Sequence, residues 1–343
     1  LVDVSMRTDG SSEFGSDRRF ATFYSTGVGI NMHNYRFLVD NRVFSQLRIR
    51  GTWGETGKVN YPPFAARHTY TVQAGAWHTT GMGDTLTYMG NEDLSWEKTS
   101  TLNLGLDMTL FKRYTLNLSW YDKITNDLIT DVSIVPSSGF TSYKDNMGKV
   151  RNRGVEVNLN VNAIQKQDWG LNVFFRASHN KNRIMEISDA LKEYNQKVDD
   201  YYSKYPNYNK PLLKYTEGAS LTSIYAVRSL GISPANGQEV FLDANGKVTY
   251  DWNATNQVVV GNTEPKLQGS FGFNFRWKRW TLFTAALFET GGDLYNSTLV
   301  DNVECADIWK SNVDKRVYTQ RWLEPGDVAP LKSIKDRYQV TRP

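Results

Sequence analysis

Cysteine is nearly missing from this chain of 343 residues: the single thiol is Cys305. One cysteine excludes an internal disulfide framework and a thiolate metal cage. Histidine is scarce too. His33, His68, His78 and His179 are scattered, and no pair stands in the His-x-x-x-His spacing that sets two imidazoles on one helical face. A Gly-x-Ser-x-Gly elbow and a phosphate loop are both absent. The expectation is therefore no catalysis, no metal and no cofactor. An excess of one charge sign is also missing. With 40 basic and 36 acidic residues the net charge is +4, a mixed surface that argues against a nucleic-acid partner. No apolar run approaches the ~18 residues of a spanning helix, and mean hydropathy is −0.52. No initiator Met or leader precedes Leu1, and Pro343 follows no final strand, so the chain reads as a piece of a longer one.

What is present is aromatic and alternating. Tyr, Phe and Trp number 19, 16 and 10. A membrane barrel uses such rings in girdles at its two interfaces, and only every second residue of its strands meets lipid, so low mean hydropathy is compatible with it. Leu102, Leu104, Leu106, Met108 and Leu110 alternate with small or polar residues. After Phe111-Lys112-Arg113 the pattern restarts with Tyr114, Leu116, Leu118 and Trp120. Two alternating runs about a short turn predict an antiparallel hairpin. Val155–Val161 with Leu171–Ala177 repeats the design, and so does Phe271–Trp277 with Trp280–Phe288. Strands are predicted over 1–8, 20–31, 45–56, 98–111, 114–124, 151–163, 168–180, 268–277 and 280–289.

Alternation alone fits a sandwich as well as a barrel. The connections discriminate. Those around Lys112, Lys166 and Lys278 are short, whereas 57–97, 125–150, 181–267 and 290 onward are long. Short turns on one rim and long loops on the other are the plan of an outer-membrane barrel. Arg48, Arg50, Asp107, Glu156 and Arg176 then fall on the wet inner row, since an Arg at mid-bilayer would cost ~2–4 kcal/mol. Within the loops, Asn236-Gly237 and Asn245-Gly246 predict a small hairpin or meander between 224 and 250. Residues 184–202 carry a short helical pattern. Asp243-Ala244-Asn245-Gly246 superficially resembles a calcium loop without its later acidic ligand, so a plain turn is expected.

Several segments resemble the C-terminal part of SusC/RagA-type TonB-dependent transporters. They are Arg7–Gly15, Leu47–Gly57, Asn91–Thr99, Asn146-Met147-Gly148 with Asn152–Glu156, Gly261–Lys266, and Arg321–Asp327. The resemblance implies an all-β transmembrane antiparallel barrel of about 22 strands, of which residues 1–343 supply a minority as the C-terminal part. The plug domain, the earlier strands and the last strands would lie elsewhere. It implies TonB-dependent import of an oligosaccharide or oligopeptide across the outer membrane of a Gram-negative bacterium. The partners implied are a SusD-like surface lipoprotein, the TonB complex through the missing N-terminal part, and outer-membrane lipid. A soluble β-rich glycan-binding module and a passive porin or adhesin barrel stay open as alternatives. Sugar faces stack on aromatic rings set among polar residues. The loop segments offer Trp77, His78 and Tyr88, and then Tyr201, Tyr202 and Tyr205, as candidate ligand contacts; packing of the loops or contact with the lipoprotein is the competing role.

Overall fold

The structure, a computed structural model, describes residues 1–11, 19–36, 38–39, 41–58, 67–91, 94–133, 142–146, 148–205, 212–310 and 312–336. They divide into two units. Leu1–Tyr194 with Lys266–Thr290 forms the first, and Asn195–Pro265 with Gly291–Pro343 the second.

The first unit holds a nine-stranded sheet. Its strands are β1 (Val2–Gly10), β2 (Phe20–Asn31), β3 (Phe44–Lys58), β4 (Glu97–Leu110), β5 (Tyr114–Asn126), β6 (Gly148–Gln165), β7 (Trp169–Ile187), β8 (Leu267–Trp277) and β9 (Trp280–Thr290). Each pairs antiparallel with its chain neighbour, an up-and-down meander that is open at β1 and β9. All nine expected strands are present. The largest difference is in β7, which runs on to Ile187. The helical pattern of 184–202 accordingly starts later, as α1 (Asp189–Lys204).

Register keeps the two side-chain rows apart across the sheet. Ile49 faces Leu106, Leu106 faces Leu118, Leu118 faces Val157, and Val157 faces Ala177. One residue along, Arg48, Asp107, Asn117, Asn158, Arg176 and Ser270 stand in the next line. A slip of one residue in any pair would exchange the rows.

Burial separates barrel wall from sandwich. The apolar row is not covered by a second layer: Leu104 is 49% exposed and Val173 39%. Buried apolar residues of this unit, such as Phe23, Trp96, Val150 and Ile184, gather at the rim of the long connections. A sandwich would bury its mid-strand apolar row, so this sheet keeps that row for another solvent.

The two rims differ as the connections predict. The short turns 111–113, 166–168 and 278–279 lie on one, with Phe111, Lys112 and Lys278 in the left-handed region at φ 52, 56 and 53°. The opposite connections carry structure that alternation did not announce. Thr69–His78 pairs with Gly81–Tyr88, and Ile129–Ser133 pairs with Ser142–Asn146. Two of the resembling segments meet there. Ser95 N donates to Asn146 Oδ1 at 3.0 Å, and Asn146 Nδ2 donates to Asp127 O at 2.8 Å. Leu94 is buried against Ile129, and Trp96 meets Phe23 edge-on at 6.0 Å. Gly148 follows, at φ +120°, and a Cβ there would sit 2.3 Å from the Glu186 carbonyl oxygen. Both conditions demand glycine. Gly148→Ala is expected to destabilise the sheet by ~1–3 kcal/mol. The check is the temperature at which the unboiled protein loses its compact electrophoretic migration. Gly75→Ala, with open space around its Cβ, is the control that should not move it.

The second unit is built from short pieces. Ser223–Val227 pairs with Gln257–Asn262, and Ser229–Ile232, Glu239–Leu242 and Val248–Thr249 form the expected meander. Gly237 and Gly246 take φ +69 and +77° in its turns. Asp243 Oδ1 accepts from Asn245 N and Lys247 N, both at 2.8 Å, so the calcium-like segment is a self-bonded turn. Val303, Ala306, Val317 and Leu331 make a core around Arg321. The Arg321 guanidinium donates to Val317 O at 2.9, Lys332 O at 3.0, Val303 O at 2.9 and Glu304 O at 2.9 Å.

Candidate functional site

The inner row of the sheet forms an open polar groove of about 660 Å³, lined by Asn117, Glu156, Asn158, Arg176, Gln268 and Glu289 among others. Strand register assembles it. Asn158 on β6 faces Arg176 on β7, and Ser178 faces Gln268 on β8, which faces Glu289 on β9. Arg176 lies 5.3 Å over the Phe174 ring, and Phe174 stacks on Phe283 at 6.0 Å. The groove thus joins both charge signs and amides, a lining suited to hydroxyl- or amide-rich molecules, with the Phe174–Phe283 pair outside that lining. Glu156 and Arg176 were legible from alternation. Gln268 and Glu289 were not singled out, although Glu289 follows Phe288 and so falls in the opposite row.

Beside the groove the wet charges are paired. Arg50 Nε reaches Asp107 Oδ2 at 3.3 Å, Arg50 Nη2 donates to Ser119 Oγ at 3.1 Å, and Asn117 Nδ2 donates to Asp107 Oδ1 at 2.9 Å. Gly105 opposite Arg50 leaves the space this needs, since a Cβ there would stand 2.5 Å from Arg50 Nε. These groups hold one another across three strands.

The loop candidates separate into two places, each described alone. In the first unit, Trp77 on the Thr69–His78 strand is 73% exposed. His78 is opposite Gly81 in that hairpin, and its side chain lies outside the described residues. Tyr88 is partly buried against Leu94 and Ile129. At the end of α1, Tyr201 and the next residue after the helix, Tyr205, whose N donates to Tyr201 O at 2.9 Å, are exposed with ring centroids 4.8 Å apart, and Lys204 Nζ is 5.5 Å from the Tyr205 ring. Tyr202 differs. It is 2% exposed, its hydroxyl accepts from Leu212 N at 2.9 Å, and its ring leans on Trp252. Helical spacing explains this: Tyr201 and Tyr205 share a face at i and i+4, and Tyr202 points to another. Tyr202 is thus packed within the second unit.

Among the described residues no group of His, Cys, Asp or Glu is arranged to hold a metal. Burial pushes the Cys305 thiol up to about 11, far from a nucleophilic thiolate at neutral pH. Glu97, beside Trp96, is a buried residue at the start of β4.

An antiparallel meander with one bare apolar row, one wet row, and opposed short and long rims is the wall of a transmembrane β-barrel. The family model for the TonB dependent receptor-like β-barrel matches residues 1–319, and the chain belongs to that family. Among similar proteins, TonB-dependent receptor P3 of Formosa agariphila is 25% identical over 99% of this chain and 37% of its own length. TonB-dependent receptor SusC of Bacteroides thetaiotaomicron is 29% identical over 80% of this chain and 29% of its own. A solved structure titled as the RagAB peptide transporter superposes with a TM-score of 0.79 at 26% identity, covering 96% of this chain and 36% of that one. The chain therefore spans between about a quarter and two fifths of the proteins it matches.

Proposed function

We propose that this chain is the C-terminal portion of an outer-membrane importer that takes up an oligosaccharide or oligopeptide at the expense of energy delivered through TonB. The plug and the earlier strands belong, in this reading, to parts of the protein outside residues 1–343. A SusD-like surface lipoprotein closes the mouth formed by the long connections. The observation that carries the reading is the wet groove of Glu156, Arg176 and Glu289 behind an uncovered apolar row. Such a wall belongs between hydrocarbon and an aqueous lumen. Family membership supports import, the relative named SusC supports a nutrient role, and the RagAB structure is titled a peptide transporter. Trp77, Tyr201 and Tyr205 are exposed rings able to stack on a captured ligand or on the lipoprotein.

The test is accumulation of labelled oligosaccharide and oligopeptide pools by cells that express the full-length protein, with and without TonB. Uptake of one pool should depend on both proteins. Equal accumulation without TonB would instead define a passive pore, and no uptake of either pool would remove the importer reading.

A further inference from the structure

A cationic patch stands on the lipid-facing row at the rim of the long connections. Along β6 that row reads Val161, Leu159, Val157, Val155 and then Arg153 and Arg151. Along β7 it reads Val173, Phe175, Ala177 and then His179, Lys181 and Arg183. At ~3.3 Å per residue, Trp169 to Ala177 covers ~26 Å of strand, or ~20 Å of height at a tilt of ~40°. That approaches the ~25 Å apolar band of outer-membrane barrels. The cations begin where the band ends, at headgroup level.

Their register is unfavourable for a sheet alone. Arg153 is directly opposite Lys181, and Arg151 is opposite Arg183. Like charges face to face destabilise a strand pair. The only carboxylate among them on the adjoining strand is Asp122 of β5, opposite Arg153. It accepts from Arg151 Nε at 2.8 Å and Arg153 Nη2 at 3.2 Å, and so is engaged on the β5 side. Lys181 and Arg183 are exposed and make no ion pair among the described residues. Glu186 lies one step further along, opposite Lys149. At matching levels β4 presents Leu102 and Ser100, and β3 presents Trp53 and Glu55, so the positive charge is confined to β6 and β7.

We propose that Arg151, Arg153, Lys181 and Arg183 bind the phosphate of an anionic lipid headgroup in the outer leaflet of the outer membrane. Guanidinium forks match phosphate oxygens bidentately, and an ammonium adds a point charge. One phosphate set between the opposed pairs would relieve both repulsions, and the acyl chains would lie along the apolar row below. The proposal rests on the outer-membrane reading above.

The experiment uses the full-length protein in a neutral detergent doped with diphosphorylated lipid A, and native mass spectrometry counts the lipid retained. Wild type should retain it, and K181Q/R183Q should bind it about tenfold or more weakly. K123Q, an inward cation, should behave as wild type, and K181R/R183K should largely restore binding. At constant ionic strength, inorganic phosphate should not displace the lipid. Equal retention by K181Q/R183Q, equal retention of phosphatidylcholine, or displacement by inorganic phosphate would each overturn the proposal. Compact migration of unboiled protein reports the barrel separately, so failure of the outer-membrane reading is visible on its own. Should K181Q/R183Q fail to fold, salt decides with wild type alone: binding must weaken steeply as salt rises, and insensitivity overturns the patch.

Discussion

Val173→Arg is expected to weaken folding into a membrane by ~2–4 kcal/mol, roughly 30- to 900-fold in the folding equilibrium. Val173 sits at the middle of the apolar stretch Trp169–Ala177 of β7, opposite Val161 on one side and Phe273 on the other, and is 39% exposed. In water an exposed Val→Arg change costs little. In hydrocarbon a guanidinium has no partner to solvate it. Leu287→Arg provides the contrast. Leu287 on β9 is 86% exposed but faces Ser270, in the polar row that lines the groove. An Arg there meets water and should be nearly neutral. The measurement is a denaturant titration of full-length protein in phospholipid vesicles, read by the loss of compact migration. Equal effects of the two substitutions would contradict the assignment of rows. A harmless Val173→Arg would return the sheet to the soluble reading.

How far the sequence carries this fold depends on the length scale of the signal. Leu102–Leu110 and Tyr114–Trp120 repeat every second residue over whole strands, and a three-residue turn between them fixes the register. Such a pattern is local and redundant, so the nine strands were legible. The hairpin Thr69–His78 with Gly81–Tyr88 was not. Tyr70, Val72 and Trp77 in it are exposed, so no buried face imposes an apolar period. The extension of β7 to Ile187 is not legible because its apolar row gives way to His179, Lys181 and Arg183 while the pairing continues, and the register then shifts beyond Ile184, opposite Val150 and Lys149. Among the candidate contacts, a run of tyrosines is visible as composition, whereas which of them turns inward is set by tertiary packing. Tyr202 takes its hydrogen bond from Leu212, beyond the end of the helix, and its ring contact from the sequence-distant Trp252, neither of which helical periodicity announces.

The resembling segments acquire physical reasons in the structure, and the strongest belongs to Arg321. Its side chain is 5% exposed and satisfies carbonyls from three separate stretches: Val303 with Glu304, Val317, and Lys332. The adjoining residues use its placement. Trp322 N donates to Leu331 O at 2.9 Å, Trp322 Nε1 donates to Pro234 O at 2.9 Å, and Asp327 Oδ2 accepts from Leu323 N and Glu324 N at 2.9 and 3.0 Å. Those two backbone donors, Glu324 first, hold the Asp327 carboxyl below its usual range. Arg321→Ala would strand buried carbonyls without donors and is expected to cost the second unit ~3–5 kcal/mol. Arg321→Lys should recover only part, because one ammonium cannot reproduce a planar fork directed at four oxygens. Hydrogen exchange on the full-length protein checks both. The amides of Trp322 and Leu331 should lose protection in both variants, more in the alanine one, while amides of β4–β7 keep theirs. Wild-type protection in Arg321→Lys would mean that charge and volume at this position suffice, and that the fork geometry is not what ties the three stretches together.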